Sequence, residues 1–442
     1  MKKVIFIILV LLTIKIQAQD HKWTLRACVD YAIENNISIK QSELDLETSE
    51  YNKKDAIGNF LPSLNASANH SWSIGLAQDP IEFNAVNSTT KTLSGGISSS
   101  LDIYKGLQNI NQLQRSKLQV LAAQYQLDDM KDNISLYVAN AFLQIIFNKE
   151  QYKVLFTQHE ISKGELDRTN ELVNAGSLPK GDLLEIQATL ASQEQQLVDA
   201  QNAILISKIQ LAQLLLIKDY ANFDIVDSDY DVPNTFILSE SPEVIINKAK
   251  ETRYNIKIAE NNTKIANYNL KIAKGALQPS LSGSYNFGSN YFTSQLFDTP
   301  DFETQISDNK SHNFSIRLNI PIFNGFSGRN NVKRNQVALD RSKYELEQAN
   351  LDLETKVYQA YNDARGALKA YEAAQKTLSA REEAFNYSKE RYNVGLLNAF
   401  DYNQSQSRFE QAQSDVVRTK YDYIFKLKVL EFYFGIPITD IN

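Results

Sequence analysis

Two hydrophobic periods alternate along this chain. From about residue 106 to 172, and again from 326 to 392, Gln, Ala, Leu, Glu and Lys dominate and apolar residues return on a heptad. In the first stretch these are Ile134, Val138, Ala141, Ile145, Tyr152 and Leu155, interrupted by Asn148. In the second they are Leu346, Leu353, Val357, Ala360, Ala364, Ala367, Tyr371, Ala374 and Leu378, interrupted by Asn350. That spacing predicts coiled helices, and about 67 residues at 1.5 Å rise gives rods of about 100 Å. Shorter helices are predicted at about 25–57, 182–217, 242–274 and 401–434. Two of them sum to one rod, so each half supplies two helical columns of similar length. Eight of the nine prolines fall outside these segments and Pro242 opens one of them, so none lies in a helix interior.

Between the helices the period changes to two. Leu64, Ala66, Ala68, His70, Trp72 and Ile74 alternate with Ser63, Asn65, Ser67, Asn69, Ser71 and Ser73, and Leu93, Gly95, Ile97, Ser99, Leu101 and Ile103 continue the apolar face on the return. Leu281, Gly283, Tyr285 and Phe287, then Phe314, Ile316, Leu318 and Ile320, repeat the pattern against Ser311, Asn313, Ser315, Arg317 and Asn319. This is the dyad of a transmembrane barrel strand, apolar toward lipid and polar toward a lumen, with aromatics toward the strand ends (Trp72, Tyr104, Tyr291, Phe323). Soluble half-buried hairpins share it. Four strands cannot close a barrel, and an open sheet in lipid leaves backbone groups unpaired at several kcal/mol each. A membrane role therefore requires oligomers, of which two copies would give eight strands and three would give twelve.

The chain is also written twice. Gly58-Asn59-Phe60-Leu61-Pro62-Ser63-Leu64 returns as Gly275-Ala276-Leu277-Gln278-Pro279-Ser280-Leu281. Tyr104-Lys105-Gly106 returns as Phe323-Asn324-Gly325, and Asn174-Ala175-Gly176 with Asp182 as Asn393-Val394-Gly395 with Asp401. The offset of about 217–219 residues is nearly constant, which marks a tandem structural repeat. The expected organisation is a first repeat over 19–217 (helix, hairpin 62–104, long helix 106–172, tip, return helix) and an acidic linker over 218–241. The second repeat spans 242–442 (helix, hairpin 279–323, long helix 326–392, tip, return helix). The fold class is mostly α with four barrel strands per chain.

Charge and composition narrow the setting. Lys2 and Lys3, an apolar run from Val4 to Ile16 and Gln17-Ala18-Gln19 read as a signal peptide over 1–18. Its removal takes away Lys2, Lys3 and Lys15 and no acid, so the net charge of −6 becomes −9. That balance argues against nucleic acid as a partner. Cys28 is the single cysteine, which excludes an internal disulfide and a thiolate cluster. Leu25-Arg26-Ala27-Cys28 resembles an acylation box, yet it is separated from the apolar run by Asp20, His21 and Lys22 and lies in a helical pattern. His21, His70, His159 and His312 are too scattered for a local metal motif. No phosphate loop, nucleophile elbow or zinc-protease motif occurs, so nothing calls for a cofactor or an enzyme.

Trp23-Thr24-Leu25 with Ala32-Ile33-Glu34-Asn35-Asn36, the Leu-Pro-Ser-Leu at 61–64, Arg391-Tyr392-Asn393-Val394-Gly395 and Asp401, in this twice-repeated order, resemble the TolC-like outer membrane efflux protein family. The resemblance covers nearly the whole mature chain. It implies a homotrimer in the outer membrane, a twelve-strand barrel in lipid continuous with a periplasmic helical tunnel. It also implies a periplasmic adaptor and an inner-membrane transporter as partners in efflux or type I secretion.

The resemblance also assigns residues. Adaptor docking falls at the tips, on Gly176, Ser177, Leu178 and Leu183 and on Gly395, Leu396, Leu397 and Tyr402. The glycines are at the same time helix stops. Asp401 matches a lumen-facing carboxylate of the constriction, and its other reading is an N-terminal acid favoured by the helix dipole. Asp182 is its counterpart in the first repeat. Gln404 stands one turn on where the family has an acid, and Tyr392 matches a latch tyrosine whose arginine partner is replaced by Leu397. The expected gate is therefore a thin acidic ring held by packing and neutral hydrogen bonds. The competing reading is a periplasmic adaptor or a coiled-coil scaffold without a pore. Against it stand the two hairpins.

Overall fold

The computed structural model describes residues 22–78, 82–227, 230–232 and 236–439; the signal peptide expectation lies outside them. In chain order the elements are α1 (Leu25–Asn35), α2 (Ile37–Gly58), β1 (Ser63–Gln78), β2 (Ala85–Lys105), α3 (Gln108–Asn174), α4 (Lys180–Leu214), a 3-10 turn (Ile237–Ser239), α5 (Pro242–Thr252), α6 (Tyr254–Gly275), β3 (Ser280–Ser294), α7 (Phe302–Asp308), β4 (Ser311–Asn319), α8 (Ser327–Asn393) and α9 (Ala399–Phe434). They divide into two compact units. One holds the described residues within 1–43, 127–256 and 349–442, the other 44–126 and 257–348.

The second of these units carries the sheet. Its strands run antiparallel in the order β1-β2-β3-β4, with Ser63 opposite Ser100, Ser100 opposite Ser284 and Ser284 opposite Ser315. Because side chains alternate, that register gathers serines and asparagines on one face. The other face exposes Leu64, Ile74, Ile97, Phe314, Ile316 and Leu318, as the dyad predicts. The outer edges of β1 and β4 have no strand partner among the described residues. Below the sheet the helices stand side by side in the order α2, α3, α6, α8. Asn109 Nδ2 donates to the carbonyl of Asn59, just past α2, at 3.1 Å. Asn261 Nδ2 on α6 donates to the carbonyl of Leu118 on α3, and Thr263 Oγ1 to that of Ser342 on α8 at 3.1 Å. The two edge helices leave apolar residues exposed at a seven-residue interval, Leu44 and Tyr51 on α2 and Val337 and Tyr344 on α8.

The other unit is packed by the heptads. Ile134, Val138 and Ile145 on α3 and Leu353, Val357, Ala360, Ala364 and Ala367 on α8 are buried. On α4 the buried positions Ile186, Gln193, Ala200 and Ser207 are each seven apart. Asn148, which interrupts the first heptad, donates from Nδ2 to the carbonyl of Ala203 and to Ser207 Oγ, both at 3.1 Å. It fixes the register of α3 on α4, the role a single buried amide plays in coiled coils. The linker is acidic, as expected, and two of its carboxylates clamp cations. Lys149 Nζ lies 2.7 Å from Asp224 and 2.6 Å from Asp227, Lys208 lies 3.0 Å from Asp224, and Trp23 pairs with Ile225 in a parallel bridge.

Three features depart from the predicted elements. The helices expected at 25–57 and 242–274 are each broken by one extended residue, Asn36 (ψ 133°) and Arg253 (ψ 130°), which are equivalent positions of the two repeats. Asn36 Oδ1 caps the next helix by accepting from the Ser38 amide at 2.9 Å. Arg253 is held by Asp132 at 3.3 Å and by the Phe432 ring, 4.1 Å from its guanidinium carbon. The first hairpin rises past its expected end at residue 74 to Gln78 and returns from Ala85. The expected second hairpin, 279–323, contains a short helix, α7, between β3 and β4. Cys28 is buried in α1, as its helical pattern requires, and burial pushes its thiol up to about 12. No helix among the described residues is long and apolar enough to cross a membrane.

Candidate functional site

Both helix reversals are built alike. At the first, the amide of Ser177 donates to the carbonyl of Leu172 at 2.8 Å and that of Gly176 to Val173 at 2.9 Å. At the second, Leu396 donates to Arg391 at 2.8 Å and Gly395 to Tyr392 at 3.0 Å. These are Schellman closures, which need a left-handed residue after the helix; Gly176 has φ +74° and Gly395 φ +76°. Pro179 precedes helix α4 in the N-cap position and gives it no side-chain cap. Helix α9 starts at Asn398, whose Oδ1 accepts from the Asp401 amide at 2.8 Å while its Nδ2 donates to Asp401 Oδ2 at 2.9 Å.

The structure brings together part of the expected site. The Tyr392 and Tyr402 rings stack at 4.6 Å and 13°, and Phe385 and Phe409 extend the cluster. Burial, the Glu165 carboxylate and Tyr392 push the Tyr402 hydroxyl well above the usual range. Tyr392 is also raised, first by burial, with the charge of Asp182 adding to it. Asp182 therefore lies close enough to Tyr392 to act on it. Asp401 and Gln404 are exposed, and Gln404 borders a polar groove between α4 and α9 with Glu185, Thr189 and Ser407. Tyr402, expected on the docking surface, is instead 1 % exposed. The heptad continues through Phe385 and Tyr392, and Tyr402 closes it from the facing helix, so its ring belongs to the core.

At the tips, Gly176, Ser177, Gly395 and Leu396 are exposed, whereas Leu178, Leu183 and Leu397 are half-buried. Two residues missed in the sequence stand beside them. Val394 and Phe400, with Leu396, are 65–69 % exposed and make the second tip the more apolar. Their signal was available, since neither fits a heptad seam. Glu410 was also missed. It accepts from Gln193 Nε2 at 3.2 and 3.3 Å and from Gln406 Nε2 at 2.9 Å, and burial holds its carboxyl above the usual range against those bonds. Gln406 also donates to Ser162 on α3 at 3.1 Å, so one polar cluster ties α3, α4 and α9. No group of three or more His, Cys, Asp or Glu placed to hold a metal ion occurs among the described residues.

The family model for outer membrane efflux proteins matches the chain twice, over residues 28–215 and 245–435. The chain belongs to that family. It is 23% identical over 351 residues to the outer membrane protein TolC of Vibrio cholerae, covering 78% of this chain and 76% of that protein. With the cation efflux system protein CusC of Escherichia coli O157:H7 it shares 22% identity over 369 residues, 81% of this chain and 72% of that one. The crystal structure of the Campylobacter jejuni CmeC outer membrane channel superposes with a TM-score of 0.81 at 18% identity, covering 93% of this chain and 85% of that chain. One matched segment falls in each half of the chain. As an outer membrane efflux protein, the chain is a channel for export across that membrane, and the adaptor and scaffold readings fall away.

Proposed function

We propose that three copies of this chain close into one passive duct through which an inner-membrane transporter, joined by a periplasmic adaptor, expels its cargo. One observation carries this reading. Among the described residues the sheet ends in unpaired edges at β1 and β4, and α2 and α8, the helices at the same two ends of that unit, expose apolar residues at heptad interval. Open strand edges are untenable in lipid, and apolar heptad positions seek a facing helix. Joining the β1/α2 edge of one copy to the β4/α8 edge of the next satisfies both. The duct itself makes and breaks no bond; the transporter supplies the energy.

The periplasmic end is the gate. Asp401, fixed by Asn398, places one carboxylate per copy at the start of α9, and copies related by symmetry form a thin acidic ring that favours cations. Gln404 contributes a neutral side chain beside it. Tyr392, packed on Tyr402 near Asp182, closes the second tip by stacking rather than by an arginine bridge. The adaptor docks on the exposed tips, with Leu396, Val394 and Phe400 as the apolar anchor and Ser177 and Gly176 as the polar half.

Conductance of the purified protein in planar bilayers tests the duct. The expected result is an ion-permeable pore that prefers cations, with the preference reduced in Asp401→Asn. An unchanged preference removes Asp401 from the pore, and absence of conductance from wild type and variant alike contradicts the duct.

A further inference from the structure

The two edge strands of the sheet differ in length. β1 has 16 residues and β4 has 9, so however they meet around a barrel, at least seven residues of β1 find no partner in β4. β1 pairs with β2 along its whole length, to Gln78 opposite Ala85. β3 pairs with β4 only from Ser280 to Gly288, although it runs to Ser294.

Above Gly288 the free edge of β3 is occupied by the segment that carries α7. Gln305 is buried, and its amide acts as a strand residue would. Oε1 accepts from the Phe292 amide and Nε2 donates to the Phe292 carbonyl, both at 2.9 Å. Nε2 also donates to the Pro300 carbonyl at 2.7 Å. Ser289 Oγ donates to the Ile306 carbonyl at 2.8 Å and Asn309 Nδ2 to that of Asn290 at 2.7 Å. α7 thus stands in the row that the upper half of β4 would fill. At 100° per residue, Glu303 and Ser307 project from the side opposite Gln305, and both are exposed.

We propose that α7 of one copy seals the upper half of β1 of the next copy, completing the barrel seam where β4 is too short to do so. The proposal rests on closure by copies, as set out under Proposed function. The surface that α7 would cover is the backbone edge of the upper part of β1, about residues 71–78, which has no strand partner among the described residues. An open strand edge of this length invites pairing with another chain. The occupant is a second copy, because α7 is already fixed to its own β3 and its outward side is the next position around the sheet.

A cysteine scan in membranes tests this, on a Cys28→Ala background. Glu303→Cys or Ser307→Cys is combined with Ser73→Cys, Ile74→Cys or Leu76→Cys and treated with a short bis-maleimide. Asn65→Cys or Asn69→Cys with Ser315→Cys reports the strand part of the same seam. The expected result is that at least one pair of each kind joins copies into covalent dimers and trimers on denaturing gels. Cross-linking of the strand pairs without any from the α7 pairs overturns the seal and leaves closure by copies intact. Absence of both overturns closure, and the seal with it.

Discussion

Tyr392 lies flat on Tyr402, with ring centroids 4.6 Å apart and planes 13° from parallel. One ring ends α8 and the other begins α9, so the reversal at Gly395 is clamped from inside. Truncating a buried aromatic costs about 3–5 kcal/mol, so Tyr402→Ala is expected to lower the unfolding midpoint sharply. Tyr402→Phe keeps the stack and most of the stability. Leu396→Asp, on the exposed side of the same turn, leaves stability within about 0.5 kcal/mol and abolishes capture of the adaptor. Denaturant unfolding and co-purification with the adaptor separate the two effects.

Glu410 makes the helix wall sensitive to acid in an unusual direction. Burial holds its carboxyl above the usual range, so the folded chain keeps this proton more readily than the unfolded chain. Its contribution to stability is full below the ordinary carboxylate range and is lost as pH rises through the raised value. Comparing wild type with Glu410→Gln between about pH 4 and pH 8, the difference is expected to move in favour of wild type as pH falls. A difference independent of pH contradicts the assignment.

The clamp on Lys149 titrates the other way. Burial raises Asp224 and Asp227, but hydrogen bonds from Lys149 and Lys208, and from Lys149 and Lys22, outweigh it and hold both carboxyls below the usual range. Their contribution is present above the ordinary carboxylate range and fades as pH falls through the lowered values. Lys149→Met removes charged hydrogen bonds worth about 1.5–3 kcal/mol, with Asp224 the larger share because Asp227 is more exposed. Urea unfolding at neutral pH and at acid pH measures both the loss and its fading.

Cys28 offers a reporter of α1. Its thiol is buried and pushed up to about 12, and the thiolate is the reactive form. Alkylation of the folded protein at neutral pH is therefore expected to be negligible and to become complete in denaturant. Rapid labelling of the native protein, read by mass spectrometry, contradicts this placement.

The strand faces and the coiled seams were legible because each repeats a simple period over many residues. The Leu64 to Ile74 dyad and the Val357 to Ala367 heptad leave little freedom. The breaks at Asn36 and Arg253 were not legible, since each depends on a partner far along the chain or on a single capping amide. α7 was hidden for a related reason: it is held by Gln305 bonding to β3, not by a period of its own. At the tips, Gly176 and Gly395 were evident as helix stops. The burial of Tyr402 was not, because following a heptad past a reversal requires knowing which helix lies opposite.

Single-particle imaging of the protein extracted from the outer membrane tests the central claim most directly. The account predicts a threefold hollow particle in which β4 of each copy continues into β1 of the next, forming twelve strands above a helical wall. A monomer with an open sheet, or a solid rod without a barrel, would contradict it.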